Sequence, residues 1–390
     1  MGESTSPFRC ALLLAAVSLL GAGPATGTPV NIDVILPMTG GQAFSGAIHA
    51  QTIGVYERYV NANGGINGRP VHFDIHDDHS SPVVTVQLTN QIVAAKAPVL
   101  LGSSFQAACL AETPLVANST VEFCLSPGLN PKQPNVFAVA VSTNYIVPAI
   151  YKFMRDRGYK KIAVITSTDA TGQSHDALSQ VTMDRPDFKN MSIVAYEHFA
   201  PSELSVSAQI ARIKSQNPQG IVVVATGNAF ATVLRGMHDA GLDIPVITSA
   251  VNMNEDQLKA YEPFLPKEVV FNSTLFYARP QDRKGAVRAA VDEFYNGYKL
   301  AGVVPSPEAT SWDPAKIVVA ALRALGPNAT GESVAGYIAN LHDFAGASGV
   351  YDFRLGDHHG LTDADIVWVK YQPRSESKFI AVSKPGGIPL

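Results

Sequence analysis

Charge is scarce in this 390-residue chain: Asp, Glu, Lys and Arg make up 16% of it, the formal net charge is -4, and no basic block occurs along it. A nucleic-acid partner, which needs a positive stripe, is thereby excluded. Long apolar runs are equally rare. CALLLAAVSLLGAG (residues 10–23) is too short to span a bilayer, and no later run approaches the roughly 20 apolar residues that a span requires. Preceded by Arg9 and followed by Ala25, Thr26 and Gly27, the first run reads as a secretory signal peptide, residues 1–27, and the remainder is expected to be exported and soluble. Cysteine is rare as well, with three in all. Cys10 precedes the apolar run, whereas a lipid-attachment cysteine follows one. Cys109, early in a predicted helix, and Cys124, on the strand after it, can be a disulfide in an oxidising compartment or two buried thiols.

Nucleotide-binding and catalytic signatures are also missing. The stretch ILPMTGGQAFSGA (35–47) runs from a strand through paired glycines toward a helix, yet no Lys-Ser/Thr follows Gly41 or Gly46, so it is not a phosphate-binding P-loop. G-x-G-x-x-G is absent, as is the G-x-S-x-G nucleophile elbow, and Ser103-Ser104 has no flanking nucleophile pattern. No cofactor is implied.

What the sequence does contain is a repeating rhythm of apolar strand, small-residue loop and amphipathic helix. The strands are expected at 30–36, 70–76, 98–102, 121–126, 161–166, 192–199, 220–226, 244–248 and 268–274. Ser80-Ser81-Pro82 supplies a cap and a first-turn proline for a helix whose Val84, Leu88, Ile92 and Ala95 share a face. Val206, Ile210 and Ile213 mark another helix, which Asn217-Pro218 stops. After Arg279 two long helical stretches follow, 281–300 and 311–325, and strands return at GVYDF and DIVWVKY. Nine strands exceed one simple doubly wound sheet, so the fold class is α/β with two doubly wound lobes.

In such sheets ligands sit beyond the carboxyl ends of the strands. The loops there are PMTGGQAFSG, GSSFQAA and SPGLN in the first half and TSTDATGQS, ATGNAFA and TSAVNMN in the second. They carry hydroxyls, glycines and amides, one acid, Asp169, and no lysine or arginine. IHDDHSS sets His76, Asp77, Asp78 and His79 together, a pattern that can ligate a metal in an exported hydrolase; the preferred reading is a polar strand end whose acids take backbone amides or cap the helix at Pro82. His358-His359 reads as a solvated turn, and no metal site is expected.

The segment VNANGGINGRPVHFDIHDDHSSPVVTVQLTNQIV (60–93) resembles the signature of the branched-chain amino-acid type of ABC-transporter periplasmic binding proteins. SAQIARIKSQNPQGIVVVATG, VLRGMHDAGLDIPVI and the late GVYDF continue the likeness over essentially the whole mature chain. The resemblance implies the type I fold: two lobes joined by three crossovers, closing on a ligand. The lobes would be residues 28–143 with 277–354, and 144–276 with 355–390; the crossovers would lie near Val141 to Val147, Thr274 to Tyr277 and Arg354 to Gly360. It further implies a periplasmic monomer that hands a small-molecule ligand to a membrane ABC permease and has no enzymatic activity.

Carried over by resemblance, the site would comprise Phe44 or Ser45 in the first loop, Phe105, Gln106 and Ala107 after the third strand, and Gly128, Leu129 and Asn130 after the fourth. From the second lobe come Thr171 and Thr226, where the family has aromatics, and Ala250, where it has the acid that pairs with a ligand ammonium. Alanine there argues against an ordinary α-amino acid, since a desolvated ammonium without a carboxylate is costly. With aromatic surface at Phe44 and Phe105, and further at Phe230 and Phe276, the expected ligand is a small aromatic or keto carboxylate; the competing expectation is an amino acid whose ammonium meets Asp169.

Overall fold

A computed structural model of the chain describes residues 23–116, 119–283, 285–303, 310–375 and 377–390. The apolar run of the expected signal peptide, apart from Gly23, lies outside the described residues.

The chain begins with β1 (Val30–Leu36), α1 (Ala43–Ala62), β2 (Val71–Asp77), α2 (Pro82–Ala94), β3 (Val99–Leu101), α3 (Gln106–Glu112), β4 (Val121–Cys124) and β5 (Val136–Ala138). These strands form one all-parallel sheet in the order β2-β1-β3-β4-β5. Helix α4 (Thr143–Asp156) leads to a second sheet through β6 (Lys161–Ser167), α5 (Ala170–Met183), β7 (Ser192–Phe199), α6 (Ser207–Ser215), β8 (Gly220–Val224), α7 (Gly227–Asp239), β9 (Val246–Thr248), α8 (Glu255–Tyr261) and β10 (Val269–Ser273). Helices α9 (Gly285–Ala301), α10 (Trp312–Leu325) and α11 (Gly331–Ala339) return to the first sheet, α9 and α10 against α1 and α11 against β4. A small hairpin, β11 (Phe344–Ala345) and β12 (Val350–Tyr351), precedes β13 (Val367–Tyr371) and β14 (Phe379–Ala381), which complete the second sheet as β14-β13-β10-β9-β8-β6-β7. The chain thus passes between the sheets in the segments joining β5 to β6, β10 to α9 and β12 to β13.

The strands are short apolar runs because helices cover both faces of each sheet; Val34, Ile35 and Leu36 of β1 are all fully buried. Pro82 occupies the first turn of α2 after Ser81, and Ser142 caps α4 by accepting from the Asn144 N–H at 3.2 Å. Behind the first sheet Trp312 is fully buried, edge-on to Tyr56 at 4.9 Å and to Phe294 at 5.2 Å. Gly297 makes room for the indole: a Cβ there would sit 2.5 Å from its ring.

Strands β5, β11 and β14 escape the sequence pattern. Two or three residues are too few to express a period, and β13 and β14 pair antiparallel at the edge of the second sheet. The nine expected strands all form, usually a residue or two shorter than read.

The two cysteines are bridged. Cys109 on α3 and Cys124 at the end of β4 form a disulfide with a Cα separation of 5.8 Å. The bridge closes a loop of sequence separation 15. Replacing both cysteines by alanine is expected to lower the unfolding free energy by about 2–4 kcal/mol, read from urea midpoints at constant slope.

Candidate functional site

Both sheets have a switch point. β1 lies between β2 and β3, and β6 lies between β7 and β8, so at the carboxyl ends of β1 and β3, and of β6 and β8, successive connections diverge and leave a crevice. At each crevice a glycine in the first turn of the following helix lets the helix press on the strand end. A Cβ at Gly46 would overlap the Pro37 carbonyl, and one at Gly172 would overlap the Ser167 carbonyl.

The acids of IHDDHSS fasten these loops. Asp77 Oδ1 accepts from the N–H groups of Met38 (3.0 Å), Thr39 (3.2 Å) and His79 (2.8 Å), and Oδ2 accepts from the Thr39 hydroxyl at 2.8 Å. Partial burial pushes its pKa up, but these hydrogen bonds outweigh that and hold it below the usual range. Asp78, fully buried, accepts from the Ser80 N–H and from the Ser103 hydroxyl at 2.7 Å; burial raises its pKa. His76 turns to Asp33 at 2.9 Å while His79 pairs with Asp77, so the two histidines of that motif do not converge. His358-His359 is not a solvated turn: His359 is fully buried with its ring nitrogens against the carbonyls of Leu129, Val139 and Ala140, and His358 bonds the Val136 carbonyl. The pair ties the third inter-sheet segment to the first.

Between the strand ends lies a cleft of two adjoining compartments. The larger, about 120 Å³, is walled by Ser104, Phe105, Gln106, Ala107 and Gly128 from the first sheet and by Asp169, Thr171, Thr226 and Ser249 from the second, over a floor of Ile146, Val147, Ile150 and Val222. The smaller, about 50 Å³, is lined by Ser45, His49, Ala250, Asn272, Phe276 and Tyr277 among others. Ser104, Ile146, Val251 and Asn272 belong to both.

Of the residues singled out from the sequence, Phe105, Gln106, Ala107, Gly128, Thr171 and Thr226 line the larger compartment, and Ser45, Ala250 and Phe276 the smaller. Phe44 does not line the cleft. Successive helical residues are about 100° apart, so with Ser45 facing inward Phe44 faces solvent, at 55% exposure. Asn130 is exposed and braces the start of α4, donating to the Thr143 hydroxyl and accepting from that of Ser142, both at 2.9 Å. Phe230 is fully buried in the second core. His49, His175, Asn272 and Ser249 were not singled out. His49 follows Ser45 by four positions on one helix face, the single cue that was available.

The cleft is electrically quiet. Among the described residues no lysine or arginine lines either compartment, and the one acid that does, Asp169, is engaged: its Oδ1 accepts from the Ser167 hydroxyl (2.7 Å) and from the N–H groups of Thr171 (3.1 Å) and Gly172 (3.3 Å). Burial lowers the pKa of His175 and of His49 to about 4, so both rings are neutral at pH 7. Helices α3 and α7, by contrast, begin without a side-chain cap at Phe105 and Thr226, leaving first-turn N–H groups for a ligand. Unpartnered buried polar atoms gather here too, including Gln106 Oε1, His49 Nδ1 and Asn272 Oδ1. One bond already spans the cleft: Gln106 Nε2 donates to the Gly128 carbonyl at 2.8 Å and across to the Ser174 hydroxyl at 2.6 Å.

This is the geometry of a binding cleft, and the model of the family described as periplasmic binding protein matches residues 29–376. The chain belongs to that family. Its members are extracytoplasmic binding proteins, and the fold is the type I periplasmic binding protein fold. An extracellular ligand-binding receptor from Rhodopseudomonas palustris HaA2 is similar at a TM-score of 0.77 and 19% identity, covering 91% of this chain and all (100%) of that one. A type 1 periplasmic binding protein from Bordetella pertussis Tohama I gives 0.78 at 19% identity, covering 93% and 100%. The branched-chain amino acid binding protein LivJ from Streptococcus pneumoniae, solved with isoleucine, gives 0.74 at 18%, covering 91% and 99%. No curated protein matches the chain by sequence.

Beneath the first wall of the family's cleft, Glu112 and Glu122 are fully buried and hydrogen-bonded to each other, and Glu112 also faces the Ser103 N–H at 3.3 Å. Burial raises both pKa values, that of Glu112 to about 8. The folded chain therefore holds a proton that the unfolded chain loses above its ordinary value of 4.5, and this contribution to stability disappears as pH rises toward 8. For His49 and His175 the sign is opposite: the unfolded rings charge below 6.5 while the folded ones resist to about 4, so stability falls as pH drops through that window. Melting temperature should peak between the two. In Glu112→Gln the loss of melting temperature from pH 5.5 to pH 9 should be smaller than in the parent; an unchanged profile would show the carboxyl pair to be ionised.

Proposed function

We propose that this periplasmic binding protein is the monomeric receptor of an ABC importer, which captures a small carboxylate with an aromatic or keto body and delivers it to a membrane permease. Its two lobes, residues 28–143 with 277–354 and 144–276 with 355–390, close on the ligand in a hinge motion, and contacts to both lobes select the closed state. No bond is made or broken.

The observation that carries the reading is the quiet cleft. Free N–H groups at Phe105–Ala107 and hydroxyls such as that of Ser104 can hold an anion without a fixed cation. Apolar side chains of Phe105, Ile146, Val147 and Val222 take an uncharged body. Ala250 occupies the position where the family's ammonium-binding acid would stand, and Asp169 is already capping α5. A second reading has one observation in its favour: Asp169 is the one acid among the described residues on the cleft wall, and it could meet the ammonium of an amino acid such as the isoleucine held by the streptococcal protein.

A thermal-shift panel of aromatic and keto acids against the twenty amino acids separates the two. A true ligand at a hundred times its Kd adds about 2.7 kcal/mol of stability. Stabilisation by benzoate, phenylglyoxylate or cinnamate with none by leucine, isoleucine or valine is expected; the reverse pattern would overturn the ligand class. Asp169→Asn keeps the helix cap and should leave aromatic-acid binding intact, while abolishing binding of an amino acid. Thr171→Trp should abolish ligand-induced stabilisation and leave the unliganded melting temperature within a few degrees, because its bulk fills the cleft and not a core. Ligand response unchanged in Thr171→Trp would mean that the ligand sits elsewhere.

A further inference from the structure

Three buried polar atoms of residues lining the smaller compartment are left unpaired by the protein: His49 Nδ1, Asn272 Oδ1 and Thr310 Oγ1. His49, one turn beyond Ser45 on α1, is 4% exposed, and its Nδ1 is buried without a hydrogen-bond partner. Asn272, on β10 of the other sheet, is 6% exposed, and its Oδ1 is likewise buried and unpaired. Native chains rarely leave such groups unmet unless something else meets them. Of the hydroxyls in the lining, those of Ser45 and Ser104 bond each other at 2.9 Å, and that of Thr310 is itself unpaired. Among the described residues, no lysine, arginine, aspartate or glutamate lines the compartment.

The chemistry of the pair selects among groups. Taken as the tautomer with its proton on Nδ1, the neutral His49 imidazole needs an acceptor, and the Asn272 Oδ1 needs a donor. A hydroxyl is both. A carboxylate has no proton for the amide oxygen, an ammonium has no lone pair for the imidazole, and a methyl group meets neither. A space of about 50 Å³ suits one small group, and the shared wall of Ser104, Ile146 and Val251 joins it to the larger compartment, where the body of the ligand would lie.

We infer that the ligand carries a hydroxyl remote from its carboxylate, as a hydroxylated aromatic acid does, and that His49 and Asn272 are the residues that select for it. The inference rests on the carboxylate-receptor reading. The test is isothermal titration of the mature chain with matched pairs: benzoate and 4-hydroxybenzoate, cinnamate and 4-hydroxycinnamate, valine and threonine, phenylalanine and tyrosine. In at least one pair the hydroxylated member should bind about tenfold tighter or more, since its partner leaves both atoms unpaired. His49→Ala and Asn272→Ala should each bring that ratio below about threefold, and His49→Gln, which keeps a side-chain donor, should retain part of it. Equal affinities within every wild-type pair, or a ratio that survives both alanine variants, would overturn the inference. If a variant fails to fold, the wild-type ratios and the other variant decide. Binding of amino-acid pairs alone would overturn the ligand class while the ratio still decides the hydroxyl; binding of none of the eight compounds would overturn both.

Discussion

A buried polar atom must find a partner or carry a penalty of about 1–3 kcal/mol, and the ends of the strands in this protein are organised around that constraint. At the ends of β1 and β2 it is met by carboxylates. Asp77 takes three backbone N–H groups and a hydroxyl, Asp78 takes the Ser103 hydroxyl, and Glu112 and Glu122 share a hydrogen bond beneath them. These carboxyls hold the loops after β1 and β3 at fixed positions. In the cleft those loops help to form, the same requirement is left open at Gln106, His49 and Asn272. Such open atoms on a cleft wall are ones that a group arriving from outside can pair.

The two sheets reach that arrangement by the same device. Gly46 in α1 and Gly172 in α5 each lie where a side chain would strike the carbonyl at the end of the preceding strand segment, so each helix can start close to its strand. The starts then differ in charge. α5 begins on Asp169, whereas α3 begins on Phe105 with no side-chain acceptor. One wall therefore presents a capped, acidic helix start and the other an open one, which under the proposed function is the side for an anionic group.

Much of the fold was legible because its signals are periodic. Pro82 after Ser81, the Val206–Ile210–Ile213 stripe and the runs at 192–199 and 30–36 mark elements whose residues obey one rule over several turns or strand steps. The β5 and β14 strands obey none over three residues. The site was legible to the level of loops. Which of Phe44 and Ser45 faces inward depends on the phase of α1, and that is set by Gly46 against Pro37, a contact no local pattern encodes. His359 looked like a turn residue because its partners, Leu129, Val139 and Ala140, lie more than two hundred positions away. Asn272 stands at the carboxyl end of β10, where the apolar run VVF gives way to polar Asn272 and Ser273.

A cleft without fixed cations also constrains how capture can work. Charge-lined sites draw ligands from a distance and lose that pull in salt. Here the interactions are hydrogen bonds and apolar contacts, which act at contact range and are not screened. On the receptor function proposed above, discrimination comes from closure, because neutral donors on one wall gain full strength once the other wall excludes water. The Gln106 amide already reaches Ser174 across the cleft, so part of the closed-state contact is made by the protein itself. Under that proposal a ligand supplies the remaining difference between open and closed states, and it supplies most when it pairs the atoms that closure would otherwise bury alone.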